Sequence, residues 1–393
     1  MFDDNGVTTG DTVAAPLGFV TYAANAGIKD ESLDLSIVAS HLPCVAAGVF
    51  TRSLFAGPSV ALCRRHLRDG SARAIVTVSK NANVATGPQG ESDAAELAGL
   101  AAGVIGSDPA EILVGSTGVI GRPYPMERLR EHFRGLHMPE TADFPSVARA
   151  IMTTDTVPKL ASARANQATV TGVAKGSGMI EPDMATLLGY VVTDAALPRD
   201  EMTQAFRRVV DLTFNSLSID TDTSTSDTVL LLANGAAGPV GRVEFEDALR
   251  NVCHSLVLQL AADGEGATKV VQVTVCSARD TSQAKRVAKS VVNSPLFKSA
   301  VHGADPNWGR VLMAIGKCSG DSDIKPPAVW VRFGDLEVYP RRLDDQDLEK
   351  LAMLMRSDIV QIEIALGAGE ATATVWGCDL SAEYVRINAD YTT

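Results

Sequence analysis

Apolar positions along the chain recur with two different periods. Short apolar runs bounded by turn residues, Ala72–Ser79 (ARAIVTVS) and Glu111–Gly115 (EILVG), predict strands. Between them, the Ala/Leu-rich stretch Ser92–Gly106 predicts a helix, and Pro125–His137 predicts another with its proline near the first turn. Thr169–Ala174 alternates as a half-buried strand does, and Thr186–Val192 is again strand-like. Helices are predicted at Pro198–Phe214 and Val243–Ala262. The second places Phe245, Leu249, Val252, Leu256 and Leu260 at helical spacing, a stripe that faces a core rather than a cofactor. Strand patterns follow at Thr268–Cys276, Ala328–Phe333, Asp358–Leu366 and Ala371–Trp376, with a helix at Leu343–Met355. Strands that succeed strands predict antiparallel sheets with helices packed outside, an α+β layered sandwich. There is no internal repeat, and the loop-like stretches Pro139–Asp143 and Gly238–Gly241 are the candidate boundaries between compact units.

Composition narrows this picture. A chain of 393 residues with 46% hydrophobic and 21% charged residues is long enough for two or three cores and is not a disordered sequence. Its formal charge of −12 and lack of a basic block argue against a nucleic-acid partner. The longest uncharged runs, Thr12–Ile28 and Leu35–Thr51, are interrupted by Pro16 and Asn25 and by His41 and Pro43, so no membrane span is predicted. The acidic start Met1–Asp4 is unlike a secretory leader, and the six cysteines are scattered without a disulfide grid. A cytoplasmic protein is the expectation.

Several common chemistries are missing. Gly115-Ser116-Thr117-Gly118 has Val114 where a nucleophile elbow needs its first glycine. No histidine is followed by glutamate, so the HExxH zinc pattern is absent. Gly176-Ser177-Gly178 lacks the third glycine of a dinucleotide fingerprint, and Gly264-Glu265-Gly266-Ala267-Thr268-Lys269 lacks P-loop spacing. His41, His66, His254 and His302 stand isolated, and no metal-ligand cluster is apparent. The usual hydrolase and oxidoreductase readings fail.

One segment stands out, Lys175 to Tyr190 (KGSGMIEPDMATLLGY), in which a glycine-rich turn and a proline deliver Ala185 and Thr186 into an apolar strand. A threonine hydroxyl is a poor nucleophile until a base removes its proton. The nearest available base is the residue's own α-amine, with a free pKa of about 7.7 to 8.0. That amine exists only if the chain is cut before the threonine, through attack of the hydroxyl on the preceding carbonyl and hydrolysis of the ester. By spacing alone, Thr186 reads several times more readily as an ordinary strand residue, because Ala-Thr dipeptides are common.

The segment resembles the self-cleavage site of the ornithine acetyltransferase (ArgJ-type) family, and the resemblance extends along the chain. Gly115–Gly121 (GSTGVIG) is similar to the family's oxyanion-hole loop, and Ile151–Thr156 (IMTTDT) to its substrate-binding stretch. Asp263–Lys269, His302–Arg310 (HGADPNWGR) and Tyr384–Thr393 (YVRINADYTT) match as well, with a weaker match at Gly18-Phe19 and Gly27-Ile28-Lys29. The resemblance implies an N-terminal-nucleophile-like layered α/β sandwich made of two chains, 1–185 and 186–393, that part between Ala185 and Thr186. It further implies oligomers of such pairs, heterotetramers or larger, acting on small amino acids and not on nucleic acid or membranes.

The implied reaction moves acetyl from N-acetylornithine to glutamate, and the resemblance implies that it needs no metal and no bound cofactor. Thr186 would be nucleophile and amine base, with Thr117 and the Gly118 N–H as oxyanion hole. Thr156, Lys175, Glu265, Asn388 and Thr393 would bind substrate, Lys175 as partner of a carboxylate and Glu265 of an amine. The polar tract Asp220–Thr228 (DTDTSTSDT) lacks the glycine and terminal glutamate of a calcium loop and reads as a site-lining lead-in to a strand. Two departures mark this chain: Lys80 stands where the family's Ser-Gly-Asn-Ala-Asn run has glycine, and Glu181 and Asp183 replace frequent Ala and Asn. They resemble the paralogues of clavulanic-acid-type clusters and imply a transferase that does not use acetyl-CoA. The rivals are a bifunctional acetyl-CoA user, a self-cleaving aminopeptidase whose acyl-enzyme water resolves, and a non-catalytic paralogue.

Overall fold

The computed structural model describes residues 6–181 and 187–390. The chain forms two compact units. The first holds residues 1–215 and 222–260, and the second holds 216–221 and 261–391. Pro139–Asp143 and Gly238–Gly241 both lie inside the first unit, so these turn-rich stretches are surface connections and not the boundary. The expected break at Ala185/Thr186 lies outside the described residues.

The first unit is built on a nine-stranded sheet. Its strands are β1 (Val7–Thr9), β2 (Phe19–Ala24), β3 (Leu35–Phe50), β4 (Ser71–Val78), β5 (Ile112–Ser116), β6 (Lys159–Ala165), β7 (Ala168–Lys175), β8 (Leu188–Ala196) and β9 (Thr228–Pro239). They run in the order β1-β6-β7-β8-β9-β3-β4-β5, with β2 added on β3. The sheet is mixed, because β4 pairs parallel with β5 and β8 parallel with β9. Those two pairs correct the antiparallel expectation. Each is joined through a helix, α2 (Gly87–Ile105) and α5 (Arg199–Leu212), and a parallel pair needs such a crossover; α1 (Pro58–His66), α3 (Met126–Phe133) and α4 (Phe144–Ala150) lie elsewhere in this unit. The strand β3 was not legible because its long uncharged run carries His41, Pro43 and a register shift between Ala39 and Cys44.

Alternate residues of β4 feed opposite sides of the sheet. Ile75 packs with Phe144, Val147 and Ile151, whereas Ala74 and Val76 pack with Leu97, Ala98 and Ala101 of α2. The helix α6 (Arg242–Ala262) buries the predicted stripe: Phe245, Leu249, Val252, Leu256 and Leu260 are all fully buried. It approaches β7 closely because Gly172 has no side chain, and a Cβ there would stand 2.8 Å from Leu256 and Val252 atoms. Gln259 of α6 then caps the backbone of Leu160 on β6, accepting from its N–H at 3.2 Å and donating to its carbonyl at 3.3 Å.

The second unit has a five-stranded sheet in the order β12-β11-β13-β10-β14. These are β10 (Val270–Ala278), β11 (Trp330–Phe333), β12 (Leu336–Tyr339), β13 (Ile359–Ala365) and β14 (Ala371–Cys378), with β10 and β13 parallel. Val287, Val291, Phe297 and Val301 pack on this sheet from α7 (Thr281–Val292) and α8 (Pro295–Gly303). Asn388, in what reads as a frayed tail, lies on a formed helix, Ala382–Asp390. The layered α+β architecture is as the sequence predicts, and no helix among the described residues is long and apolar enough to cross a membrane.

Leu97 is wholly buried between α2 and the sheet. Its replacement by alanine removes three carbons from a close-packed layer and should cost about 2–5 kcal/mol, read as a lowered midpoint of urea unfolding.

Candidate active site

The sheet of the first unit gathers several of the predicted residues at one place. The strand β5 ends at Ser116, and the chain then turns against the segment that follows β4. Asn81 bridges to both Thr117 and Val119, and the Thr117 N–H donates to the Val78 carbonyl at 3.2 Å. Gly118 has φ +123°, and a Cβ there would lie 2.2 Å from the Lys80 carbonyl carbon, so only glycine fits. Among the described residues nothing accepts from the Gly118 N–H. A fixed, unengaged backbone donor beside a threonine hydroxyl is what an oxyanion needs.

The opposing wall comes from β7. Its last residue, Lys175, is half-buried and donates from Nζ to Thr117 Oγ1 at 3.0 Å. What holds this strand end is Asp155. Its Oδ1 accepts from Lys159 Nζ at 2.6 Å and from the Gly176 N–H at 2.6 Å, while Oδ2 accepts from the Thr153 N–H at 3.0 Å. Both side chains of the Asp155–Lys159 pair are fully buried. Burial pushes the Asp155 carboxyl up, but the charges of Lys159 and Lys175 and the Lys159 and Thr153 bonds prevail and hold it down at about 2. Thr154 and Ser177 hydroxyls meet at 2.7 Å, a second tie between the same two segments. Thr156 follows in this loop and is exposed.

Lys80 departs from glycine at a position where the backbone is left-handed, φ 68°. Its ammonium is pinned to Asp30 Oδ1 at 2.7 Å and to the Ser32 carbonyl at 3.1 Å. Those bonds, with the Asp30 carboxyl held well below its usual range first of all by the Lys80 hydrogen bond, offset the strain of an L residue there. The backbone on which Gly118 rests is thereby fixed without glycine's freedom.

The second unit carries the other group. Glu265 is half-buried in the turn after α6 and accepts from Asn388 Nδ2 at 2.7 Å. The Ser381 hydroxyl donates to the Gly266 carbonyl at 2.6 Å, tying that turn to the C-terminal helix. Behind it, Asp379 accepts from the Thr268 and Lys269 N–H groups, the Thr268 hydroxyl and His302 Nδ1, at 2.6–3.0 Å. Burial opposes ionisation of Asp379, but these bonds lower its pKa. Glu265 borders a cavity of about 180 Å³ together with Asp220, Lys298, Asp379 and Tyr384.

The structure therefore brings together Lys175, Thr117 and Gly118, and separately Glu265 and Asn388. Ala185, Thr186 and Thr393 lie outside the described residues. Sequence reasoning missed the buried Asp155–Lys159 pair; the only signal was an acid and a lysine four positions apart in a segment with no helical pattern. Among the described residues no group of three or more His, Cys, Asp and Glu is placed to hold a metal ion.

A half-buried cation at the end of β7 thus meets a threonine–glycine turn at the end of β5. The chain matches the ArgJ family over residues 20–393. It is 53% identical over 381 residues to arginine biosynthesis bifunctional protein ArgJ 2 of Nostoc sp., covering 97% of this chain and 98% of that one. It is 52% identical over 389 residues to glutamate N-acetyltransferase Oat2 of Streptomyces clavuligerus, covering 97% and 99%. The crystal structure of arginine biosynthesis bifunctional protein argJ from Bacillus halodurans is 35% identical, with a TM-score of 0.48 over 51% of this chain and 98% of that chain. This protein belongs to the ArgJ family.

Replacing Asp155 by asparagine leaves the Lys159 ammonium buried without its counter-charge and should cost about 3–5 kcal/mol near neutral pH. The carboxyl is depressed in the fold, so its contribution is complete above the unfolded value near 4 and is lost as pH falls through 4 toward 2. Thermal melts of wild type and Asp155→Asn across pH 2–6 should converge at the acid end.

Proposed function

We propose that the protein is a self-cleaving glutamate N-acetyltransferase that moves acetyl from N-acetylornithine to glutamate, releasing ornithine and forming N-acetylglutamate. The observation that carries this reading is the unengaged Gly118 N–H beside Thr117 and Lys175, in a chain of the ArgJ family. The names of the two relatives above, at 52–53% identity over nearly their full length, support the same chemistry.

In this mechanism the chain parts between Ala185 and Thr186, giving chains 1–185 and 186–393 in an N-terminal-nucleophile-like layered fold. The new amine of Thr186 takes the hydroxyl proton as Oγ attacks the acetamide carbon of N-acetylornithine. The developing oxyanion is received by the Gly118 N–H and the Thr117 hydroxyl; one such donor is worth about 3 kcal/mol of barrier. The C–N bond breaks, the amine returns its proton to the leaving nitrogen, and ornithine departs. The glutamate amine then attacks the acetyl-threonine ester and the steps reverse. Lys175 pairs with a substrate carboxylate and Glu265 with an amine. Asn388 orients Glu265 through its 2.7 Å bond, and Thr156 and Thr393 supply neutral hydrogen bonds. No metal or bound cofactor enters the cycle. Pairs of chains assembled into heterotetramers or larger, a cytoplasmic setting and a role in a clavulanic-acid-type or arginine pathway complete the reading.

Lys80 and Glu181 favour a transferase that does not use acetyl-CoA, so acetylation of glutamate from acetyl-CoA at a comparable rate would overturn that part. Release of free acetate independent of added glutamate would favour the aminopeptidase-type alternative instead. Intact mass spectrometry under denaturing conditions should show two chains meeting at Ala185/Thr186, and one uncut chain for Thr186→Ala. Active protein in a single chain would end this mechanism. In the processed enzyme, Thr117→Ala should lower kcat about 10²–10³-fold in transfer from N-acetylornithine.

A further inference from the structure

The larger sheet is bent within β3. Leu35–Ala39 pair with β4 and Val45–Phe50 pair with β9, and the register with β4 shifts between Ala39 and Cys44. Residues from either side of the bend share one core, in which Val38, Ile75 and Leu113 pack with Val173, Leu188 and Leu230. The Lys175–Thr117 bond of the candidate site joins the two sides at the end of this core. A second bond joins them inside it. The Thr77 hydroxyl of β4 donates to the Tyr190 hydroxyl of β8 at 2.9 Å, and both residues are fully buried.

The register makes these two bonds neighbouring rungs. Across β7 and β8, Lys175 pairs with Leu188 and Val173 with Tyr190, so Tyr190 stands one pleat inward of Lys175 on the same face. Across β4 and β5, Thr77 pairs with Gly115, which is two residues before Thr117. Gly115 is what admits the tyrosine: a Cβ there would overlap the Tyr190 hydroxyl and stand 2.9 Å from the Thr77 hydroxyl. Burial pushes the Tyr190 phenol up, with the Thr77 bond opposing it only in part, so the group stays neutral. Tyr190 is thus an uncharged spacer of fixed length in a close-packed core.

A spacer is needed because the two partners of the site are anchored on different elements. Thr117 and Gly118 rest against the backbone of Lys80 and Asn81, whereas Lys175 is held through the next residue, Gly176, to Asp155. Neither anchor sets the distance between them. A cation for a substrate carboxylate and a turn that receives its acyl oxygen must together match one substrate length, and a misplacement of about 1 Å can cost about 100-fold in rate. Resting on the reading of that site given above, we propose that Tyr190 is a positioning residue for acyl transfer: its side chain, seated in the space that Gly115 leaves, sets the gap between Lys175 and the Thr117–Gly118 turn. It acts through those residues and touches no reacting atom.

The test exchanges volume between the two facing positions in the full-length protein. Gly115→Ala sets a methyl group where the Tyr190 hydroxyl lies and should drive the ring back, lengthening the 3.0 Å Lys175–Thr117 bond beyond hydrogen-bond reach in a crystal structure of the variant. In acetyl transfer from N-acetylornithine to glutamate, its kcat/KM at room temperature should fall about 10–100-fold. Adding Tyr190→Phe removes the oxygen that the methyl displaces, so the double variant should regain the bond and come within about threefold of wild type. A role in stability alone would lower the melting temperature without changing kcat/KM per folded molecule. Should Gly115→Ala not fold, Tyr190→Leu shortens the spacer from the other side and carries the same expected loss. Wild-type kcat/KM in the folded variant, or a loss in Gly115→Ala that Tyr190→Phe does not reverse, overturns the proposal while leaving the transferase reading intact. Wild-type protein that transfers no acetyl from N-acetylornithine overturns the reading on which it rests.

Discussion

The arrangement around the first unit's site depends on one buried carboxylate. Asp155 collects the Thr153 N–H, the Gly176 N–H and the Lys159 ammonium, and so joins the loop before β6, the first residue of β6 and the turn after β7. A desolvated pair of charges is a poor source of net stability compared with apolar packing, but it tolerates few geometries. A hydrophobic cluster in its place could let the end of β7 slide by a residue and turn Lys175 to the other face of the sheet. The two backbone N–H bonds to Asp155 remove that freedom, and Lys175 meets Thr117 as a consequence.

The facing turn is fixed by a different means, close backbone approach. Gly118 lies so near Lys80 and Asn81 that any side chain would collide with backbone, and among the described residues nothing accepts from the Gly118 N–H. Lys80 repeats the pattern in reverse, since a position suited to glycine is filled by a residue whose ammonium is tied to Asp30 and Ser32. Glycine in the unfolded chain samples far more conformations than lysine, so the substitution trades backbone strain for lower unfolded-state entropy. Both devices fix the backbone of this turn in advance, one by close approach and the other by a tethered ammonium.

Much of this was legible in the sequence wherever periodicity spoke alone. The α6 stripe, α5 and the strands β7, β10, β13 and β14 fall within a few residues of their apolar patterns, because each buries one clear face. The strands β3 and β6 and the helices α7 and α8 were passed over, and the two parallel pairs of the larger sheet were read as antiparallel. Their sequences mix small, apolar and polar residues, and which strand lies beside which is a property of the crossover and not of local pattern. For the candidate site, Thr117, Gly118 and Lys175 are singled out by resemblance, and Lys175 meets Thr117 in the fold. Asp155 and Lys159 were not, since nothing in spacing reveals that two charges in a loop and a strand will be buried against each other.

The same limit explains why the acid at the end of the polar tract could be noticed only in three dimensions. In sequence, Asp220, Asp222 and Asp227 are three equivalent acids among threonines and serines. In the fold they diverge, because Asp227 alone directly precedes a central strand, and the sheet closes over it on both sides through β3 and β8.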